Sequence, residues 1–590
     1  INMALGAAYG GARAMVTTSG GGFALMVEGL SLAGMIETPV VIHIGQRPGP
    51  ATGLPTRTSQ ENLLFALYAG HGEFPRFVCA PKDQETAFHT TMRAFELAEK
   101  YQIPGIILTD QFLVDSSAVI PTLDPTRVPL ESHTLSPEEL AQISSYERFA
   151  LTPSGVSPRA LPGVSPHLVL VDSDEHDTYG RITEDLALRK ALVEKRLRKE
   201  EGLRKEAELP LIYKGGRNCT AVLGWGSTFG ALKEAVDALN VLFKTFGPNS
   251  GRKPEIFWRA LTKSSPSRAI PGGSWGSSWP RKPGSSPPST SPATMAVPSP
   301  RRGSSPPLPM KPEDFLAEVE IAWCPGCGNF QIREALAKLG LLPHQVVLVT
   351  GIGQAAKIVH YLRVNGFDGL HGRTVAAAAG LKMARPNLVV IAESGDGDLY
   401  GEGGNHLIHN VRRNLDIAVI AHDNRVYGLT KGQASPTAPL GYTTRAQPFG
   451  VLSTPLNPLA LALAVGAGFV AQAFAGEVER TAELIASAIE YRGFALLNVL
   501  HPCPSWNRVQ TFAWYKARVY PVEEVGHDPS DWEGAMRLAA ANDDRIPTGI
   551  LYKAKKPTFE ERHPVLQRLI PGLAEFPTSA DLQALLAEFL

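Results

Sequence analysis

Gly395-Asp396-Gly397-Asp398-Leu399-Tyr400-Gly401-Glu402-Gly403-Gly404-Asn405 is the stretch on which the reading of this chain turns. It follows Leu388-Val389-Val390-Ile391-Ala392, an apolar run with the pattern of a buried strand. The next such run, Ile417-Ala418-Val419-Ile420-Ala421, ends in His422-Asp423-Asn424. A strand that enters a Gly-rich turn turns backbone amides toward a phosphate. Asp396 inside the turn would repel a bare phosphate. A divalent cation removes the conflict, because Mg2+ takes carboxylate, amide and phosphate oxygens together. Asn424 lies 28 residues beyond Asp396, at the end of the next strand, so both can reach one metal. The pattern predicts a Mg2+-diphosphate site.

The chain has 590 residues, enough for three or four domains with cores of their own. Its 44% hydrophobic and 19% charged content are globular values, and its zero net charge points to no nucleic-acid or other polyelectrolyte partner. No apolar run is long enough to span a bilayer, and no signal peptide is recognisable. The sequence opens with Ile1-Asn2-Met3 inside a helical pattern, which leads us to expect a truncated N-terminus. Five scattered cysteines (Cys79, Cys219, Cys324, Cys327 and Cys503) are no disulfide framework and suit a reducing cytoplasm.

Upstream, residues 1–125 alternate strands with small-residue helices, the pattern of a parallel α/β layer. Val40–Ile44 and Pro104–Asp110 read as strands, and Phe23–Ala33 as a helix. Gly20-Gly21-Gly22 suits a tight turn as well as a ligand loop. Residues 126–208 read as a connecting region closed by a charged helix, about Thr183 to Glu208. Lys195, Arg196, Arg198, Lys199 and Glu200 are expected on its solvated surface. Residues 209–241 start a small α/β domain, with a strand and turn over Thr220–Thr228 and a helix over Phe229–Leu239. Residues 242–309 are a low-complexity linker rich in Ser, Pro, Gly and Arg. Residues 310–590 form a second large α/β region ending in a helix over Ser579–Leu590.

Cys324-Pro325-Gly326-Cys327 precedes a helix starting near Phe330, and Cys503 follows a later strand in His501-Pro502-Cys503-Pro504. A structural zinc site would want a second pair, and a redox pair would want a βαβ start. A CxxC with a remote Cys-Pro suits an iron–sulfur cluster, although a cubane wants four ligands. Lys431 follows Asn424 on a short loop, where solvent and a substrate carboxylate are equal readings. Arg47 and Thr56 lie on a polar loop at a strand's C-terminal end, the edge where α/β sheets bind ligands. His371-Gly372-Arg373 could contact phosphate, while His406 and His409 read as satisfied helical histidines.

Residues 310–590 resemble the β subunit of two-subunit, 2-oxoglutarate-type 2-oxoacid:ferredoxin oxidoreductases. The matching segments are Trp323–Gly328, Gly351-Ile352-Gly353, His371-Gly372-Arg373, Gly395–Asp398 and Asp423–Gln433. Residues 1–240 are similar to the family's α subunit through Thr18-Ser19-Gly20 and the run Arg47 to Gln60. The resemblance implies two thiamin-diphosphate-fold modules, a pyrimidine-type one at 1–125 and a diphosphate-type one at 310–590, joined by a disrupted domain and the linker. It implies thiamin diphosphate on Mg2+, with Asp396, Asn424 and the Val426 carbonyl as metal ligands. Gly353, His371, Arg373, Gly395, Gly397, Asp398, Tyr427, Gly428 and Leu429 complete the implied cofactor site. Arg47 and Thr56 would hold the substrate's carboxylate and carbonyl, and Lys431 a distal carboxylate, which favours 2-oxoglutarate. The implied reaction is oxidative decarboxylation with coenzyme A, electrons leaving through a [4Fe–4S] cluster to ferredoxin. The implied assembly is a homo-oligomer or a complex with a full-length α subunit, its active site lying between the two modules.

Three departures from the family accompany this resemblance. Where its cluster takes a third cysteine after Gly-Ile-Gly, this chain has Gln354, leaving Cys324, Cys327 and Cys503 and the choice of a site-differentiated cluster, a three-iron cluster or none. The family's cofactor-activating glutamate would fall before Ile1. In the stretch 242–309, codons for Phe246-Gly247-Pro248 and for Thr294 through Arg301, read one base earlier, permit two family motifs, so out-of-frame translation is expected there. A non-redox thiamin-dependent decarboxylase and a catalytically impaired cofactor-binding relic are the alternative readings.

Overall fold

The computed structural model describes residues 1–129, 131–207, 211–213, 222–239, 311–541, 543–564 and 566. The expected linker at 242–309, the proposed frame change within it, Cys219 and the helix at 579–590 all lie outside these residues. Contacts divide the chain into two units: residues 1–207, 224–234 and 310–590, and residues 208–223 with 235–309. In the second unit the Tyr213 hydroxyl donates to Asp237 Oδ1 at 2.8 Å.

Among the described residues the first unit contains two large sheets and one two-stranded hairpin. The smaller sheet runs in the order β1-β2-β4-β3 and is parallel throughout, with β1 at Met15–Thr18, β2 at Val40–Gln46, β3 at Phe77–Cys79 and β4 at Pro104–Asp110. All of β4 is buried, as a central parallel strand covered on both faces must be. Gly20-Gly21-Gly22 is not a tight turn; it opens the short helix Gly20–Ala24. The expected helix over 23–33 is split, its second part running from Val27 to Met35.

The larger sheet has nine strands in the order β14-β15-β12-β13-β9-β8-β6-β7-β5. They are β5 (Leu170–Val171), β6 (Val346–Thr350), β7 (Asn365–Asp368), β8 (Val389–Gly395), β9 (Ile417–Asp423), β12 (Phe469–Phe474), β13 (Phe494–Leu500), β14 (Val519–Pro521) and β15 (Ile546–Lys553). Every pairing is parallel except β15 against β12. Separately, β10 (Val426–Tyr427) and β11 (Gln433–Ala434) make a small antiparallel hairpin. The edge strand β5 comes from the segment that reads in sequence as a connector, so residues 126–208 complete the large sheet as well as link. The strand expected over 220–228 does not form where described: 222–225 has no regular structure, and the helix runs from Thr228 to Leu239.

The N-terminal helix, Asn2–Tyr9, crosses the helix Thr374–Ala384 that follows β7. Small residues allow the backbones to touch: a Cβ on Gly6 would lie 2.0 Å from the Ala377 carbonyl oxygen, and one on Gly380 1.8 Å from that of Met3. Arg385 Nε donates to the Gly10 carbonyl at 2.7 Å, and the Tyr9 hydroxyl to that of Val169 at 2.7 Å. Gly380→Ala is therefore expected to cost at least about 1–3 kcal/mol by overpacking. Gly230→Ala, in a helix where nothing lies within 4 Å of the added carbon, should instead gain roughly 0.5–1 kcal/mol. Thermal unfolding of the two variants checks the pair; equal midpoints would refute the close crossing.

The charged helix, Leu186–Glu206, corrects the solvated reading of its basic run. Lys195, Arg196 and Lys199 are buried, and Arg198 and Glu200 are half-buried. Lys195 Nζ lies 2.7 Å and Lys199 Nζ 2.5 Å from the two carboxylate oxygens of Glu37, while Arg196 reaches Glu175 at 3.2 Å. Glu37 is held well below the usual carboxylate range: burial opposes its charge, but the ammonium groups of Lys199 and Lys195 outweigh it. A run that looks like a solvent face is an internal ion-pair anchor, because its acidic partner sits 158 residues away.

Candidate functional site

Chain order places a crevice in the large sheet. From β6 the chain moves to β7 on one side, then returns to β8 on the other side of β6 and continues to β9. The strand order reverses between β6 and β8, and ligands of open α/β sheets bind at the carboxyl ends of such a switch point. Gly351-Ile352-Gly353 leaves β6 here, and Gly395–Asp398 leaves β8. A Cβ on Gly353 would meet nothing within 4 Å, and one on Gly395 only the Ala355 methyl at 3.8 Å, so the backbone is open at these two glycines. Residues 397–402 form a π-type helical turn, and a helix follows from Gly404 to Arg413.

Asp396 and Asn424 come together as the spacing predicts, because β8 and β9 are adjacent with Gly395 opposite His422. Asp396 is buried, and its Oδ2 accepts from the Arg425 amide at 3.1 Å, the Ser435 hydroxyl and the Thr437 hydroxyl at 2.6 Å. Thr437 also donates to Asp423 Oδ1 at 2.9 Å, and Asn498 Nδ2 to Asp423 Oδ2 at 3.1 Å. Asn424 Oδ1 accepts from the Val426 amide at 2.9 Å. Burial and the neighbouring Asp423 carboxylate push Asp396 up to about 7. The nearby Arg425 guanidinium feels the Asp423 charge but is paired with Asp543, and among the described residues no ion pair reaches either carboxylate, so a divalent ion fits between them.

Asp398 lies two residues beyond Asp396 in the same turn. Both its oxygens are engaged by the chain: Oδ1 accepts from the Gly372 amide at 2.6 Å, and Oδ2 from the Ser394 hydroxyl at 2.5 Å and the Ile352 amide at 3.4 Å. It fastens the turns after β6 and β7 to β8, and so positions the crevice. A Cβ on Gly351 would lie 2.0 Å from Asp398 Oδ2, which is why that turn needs glycine. His371 is paired with Glu402 at 2.8 Å, and Arg373 with Glu28 at 3.6 Å and His406 Nε2 at 2.8 Å. His406 is thus an acceptor for Arg373 as well as a helical residue.

The hairpin β10–β11 carries the rest of the site. Tyr427 donates to the Gly397 carbonyl at 3.3 Å, closing the hairpin over the glycine turn. Gly428 and Leu429 lie on its loop, as does Lys431, which is exposed with φ at 82°. Arg47 and Thr56 follow β2, with Thr56 exposed and its carbonyl accepting from Arg57. Among the described residues no hydrogen bond or ion pair joins Arg47 or Thr56 to Asp396, Asn424 or Lys431.

The cysteines converge. The Cys327 amide donates to the Cys324 carbonyl at 3.0 Å around Gly326, whose φ of 79° suits glycine. The Gly328 amide donates to the Pro502 carbonyl at 3.3 Å, which brings Cys503 alongside. Burial, with Cys503 and Cys324 as neighbours, pushes Cys327 up to about 12; burial likewise raises Cys503. The three thiols thus form one neighbouring group. Gln354 stands beside it: its carbonyl accepts from Trp323 Nε1 at 2.6 Å, and its buried Oε1 has no hydrogen-bond partner.

Sequence reading missed Ser435, Thr437 and Asn498, which surround the two aspartates. No local pattern marks them, since they reach Asp396 and Asp423 only when the hairpin folds back.

A parallel α/β sheet with an acidic glycine turn and an Asn at the next strand end defines a thiamin-diphosphate-binding enzyme module. Family models agree. The pyruvate flavodoxin/ferredoxin oxidoreductase, thiamine diphosphate-binding model matches residues 1–195, and the C-terminal thiamine pyrophosphate-binding domain matches 346–499. The C-terminal region of the pyruvate ferredoxin oxidoreductase β chain matches 503–568. The chain is 40% identical over 279 residues to 2-oxoacid:ferredoxin oxidoreductase 2, subunit beta, of Aeropyrum pernix, covering 45% of this chain and 89% of that one. It is 43% identical over 203 residues to the 2-oxoglutarate oxidoreductase subunit KorB of Mycobacterium tuberculosis, covering 34% of this chain and 54% of that one. It is also 43% identical over 246 residues to 2-oxoacid:ferredoxin oxidoreductase 1, subunit alpha, of Sulfurisphaera tokodaii, covering 41% of this chain but only 39% of that one. The chain belongs to the thiamin-diphosphate-dependent 2-oxoacid:ferredoxin oxidoreductases, an enzyme family, and combines α- and β-subunit sequence. No described helix is long and apolar enough to cross a membrane.

Proposed function

We propose that this chain takes part in the oxidative decarboxylation of 2-oxoglutarate with coenzyme A, giving CO2, an acyl thioester and two electrons for ferredoxin. The observation that carries the reading is Asp396, buried beside Asp423 and Asn424 at the switch point. Mg2+ would be held by Asp396, Asn424 and the Val426 carbonyl. Gly353, Gly395, Gly397, Tyr427, Gly428 and Leu429 would surround the cofactor, with His371 and Arg373 reaching its phosphates once released from Glu402 and Glu28. Bound there, thiamin diphosphate supplies a carbon nucleophile and an electron sink. Cys324, Cys327 and Cys503 would hold the iron–sulfur cluster through which electrons leave. Arg47 and Thr56 would engage the substrate's carboxylate and carbonyl from the other module. An assembly of chains, or of this chain with a full-length α subunit, would serve the cytoplasm.

Lys431 makes the substrate choice testable. Its side chain is exposed on the hairpin loop, and the relative KorB is a 2-oxoglutarate enzyme by name. A charge-assisted hydrogen bond contributes roughly 1.5–3 kcal/mol, so Lys431→Ala should raise KM for 2-oxoglutarate roughly 10- to 100-fold while leaving pyruvate untouched. Anaerobic assays of viologen reduction, with and without coenzyme A and α subunit, test the whole reading. Equal KM changes for both substrates would refute the lysine's role. Gln354 supports a second reading, a chain that binds Mg2+-thiamin diphosphate and decarboxylates without passing electrons on. CO2 release without viologen reduction would identify it.

A further inference from the structure

A second cluster of ligand-type side chains lies apart from this site, where β5 joins the large sheet. The pairing of β5 with β7 sets Leu170 opposite Gly366 and Val171 opposite Phe367. The next residues in that register are Asp172 and Asp368, two buried carboxylates side by side on adjacent parallel strands. Like charges so placed are destabilising unless a cation lies between them. The third member is His360, buried on the short helix Ile358–Tyr361.

The outer oxygens are already engaged: Asp172 Oδ1 accepts from the Asp174 amide at 2.7 Å, and Asp368 Oδ1 from the Thr350 hydroxyl at 2.7 Å. The inner oxygens face His360. Its Nε2 lies 3.0 Å from Asp172 Oδ2 and 3.9 Å from Asp368 Oδ2. Yet Asp172 Oδ2 and both ring nitrogens of His360 have no hydrogen-bond partner, since the close approach is off the line a hydrogen bond requires. One ligand atom from each of the three residues lies within 4.8 Å of the others. Two atoms each about 2.1 Å from one ion, at right angles, would stand about 3 Å apart without being hydrogen-bonded.

We infer that Asp172, His360 and Asp368 form a site for one divalent transition-metal ion that fastens β5 to β7. Two carboxylates and one imidazole favour Mn2+ or Zn2+ over Mg2+ and Ca2+, which take oxygen ligands throughout. A dication neutralises both carboxylates with the imidazole neutral. The rival arrangement is a proton: against burial, Asp172 and Asp368 hold an ion-free His360 charged, raised to about 9. The site would tie residues 126–208 to the cofactor-binding sheet. It is independent of the thiamin site, whose ligands follow β8 and β9.

The test uses the full chain, stripped with chelator and then saturated with Mg2+ and thiamin diphosphate. Mn2+ is added, and the free ion is counted by its electron paramagnetic resonance signal. Mn2+ is chosen because thiolates bind it poorly, which keeps the cysteines out of the count. Any exchange at Asp396 is common to all variants. The wild type should bind one more equivalent than the Asp172→Asn/Asp368→Asn double variant, and Mn2+ should raise the wild type's melting temperature but not the variant's. Should the double variant fail to fold, His360→Gln, which keeps both carboxylates, replaces it in the same comparison. Equal Mn2+ uptake by wild type and variant would overturn the site and leave the proton arrangement.

Discussion

Asp396→Asn is expected to lower the affinity for thiamin diphosphate at least ~100-fold in the presence of Mg2+, with little loss of fold. Even residues that only orient a metal's ligands contribute about 10- to 100-fold to metal affinity, and Asp396 is the charged ligand itself. The asparagine keeps an oxygen for the Ser435 and Thr437 hydroxyls but removes the negative charge that balances the dication. The same change relieves the repulsion between buried Asp396 and Asp423 that raises Asp396. The apo variant should therefore melt no lower than the apo wild type. Binding and stability move in opposite directions, a signature that general damage to the core would not give. Calorimetry with thermal unfolding reads both; retained Mg2+-dependent binding would remove Asp396 from the metal.

Gln354→Cys is expected to change the iron–sulfur centre itself. With three thiols, the reconstituted wild type should carry a three-iron cluster or a cubane with one iron lacking a thiolate, because a neutral amide binds iron poorly beside sulfur. A cysteine at 354 would add the fourth thiolate on a main chain that Trp323, the neighbour of Cys324, pins, where the buried Gln354 Oε1 is unpartnered. Iron analysis and low-temperature electron paramagnetic resonance of anaerobically reconstituted protein should show about four irons per cluster in the variant and a different signal, or fewer irons, in the wild type. Identical iron content and spectra would mean that residue 354 does not face the cluster. Restored electron transfer to viologen in the variant would further show that Gln354 limits the electron exit.

Much of the cofactor site was legible in sequence because its signals are local. The acidic glycine turn and the Asn at the next strand end need only two adjacent parallel strands to meet, and apolar runs as clear as 388–392 and 417–421 mark both. The three cysteines were legible as a set, though only the fold brings Cys503 to Cys324 and Cys327. What was hidden depends on distant pairing. The buried Lys195 and Lys199 read as a solvent face because Glu37 lies far off in sequence. The role of β5 was missed because two residues, Leu170 and Val171, give no periodic signal, and with it the meeting of Asp172 and Asp368. The bonds that tie the Asp398 carboxylate to the Gly372 and Ile352 amides and the Ser394 hydroxyl were hidden too, since they join three separate turns. Arg47 and Thr56 remain tied to the site by resemblance alone.

The central claim is that Asp396, Asn424 and the crevice between β6 and β8 hold thiamin diphosphate through Mg2+. Isothermal titration of the full chain with thiamin diphosphate, run with Mg2+ and again with excess chelator, tests it most directly. Saturation near one cofactor per chain with Mg2+, lost with chelator, is the expected result; no binding, or binding of equal strength in both, would contradict it.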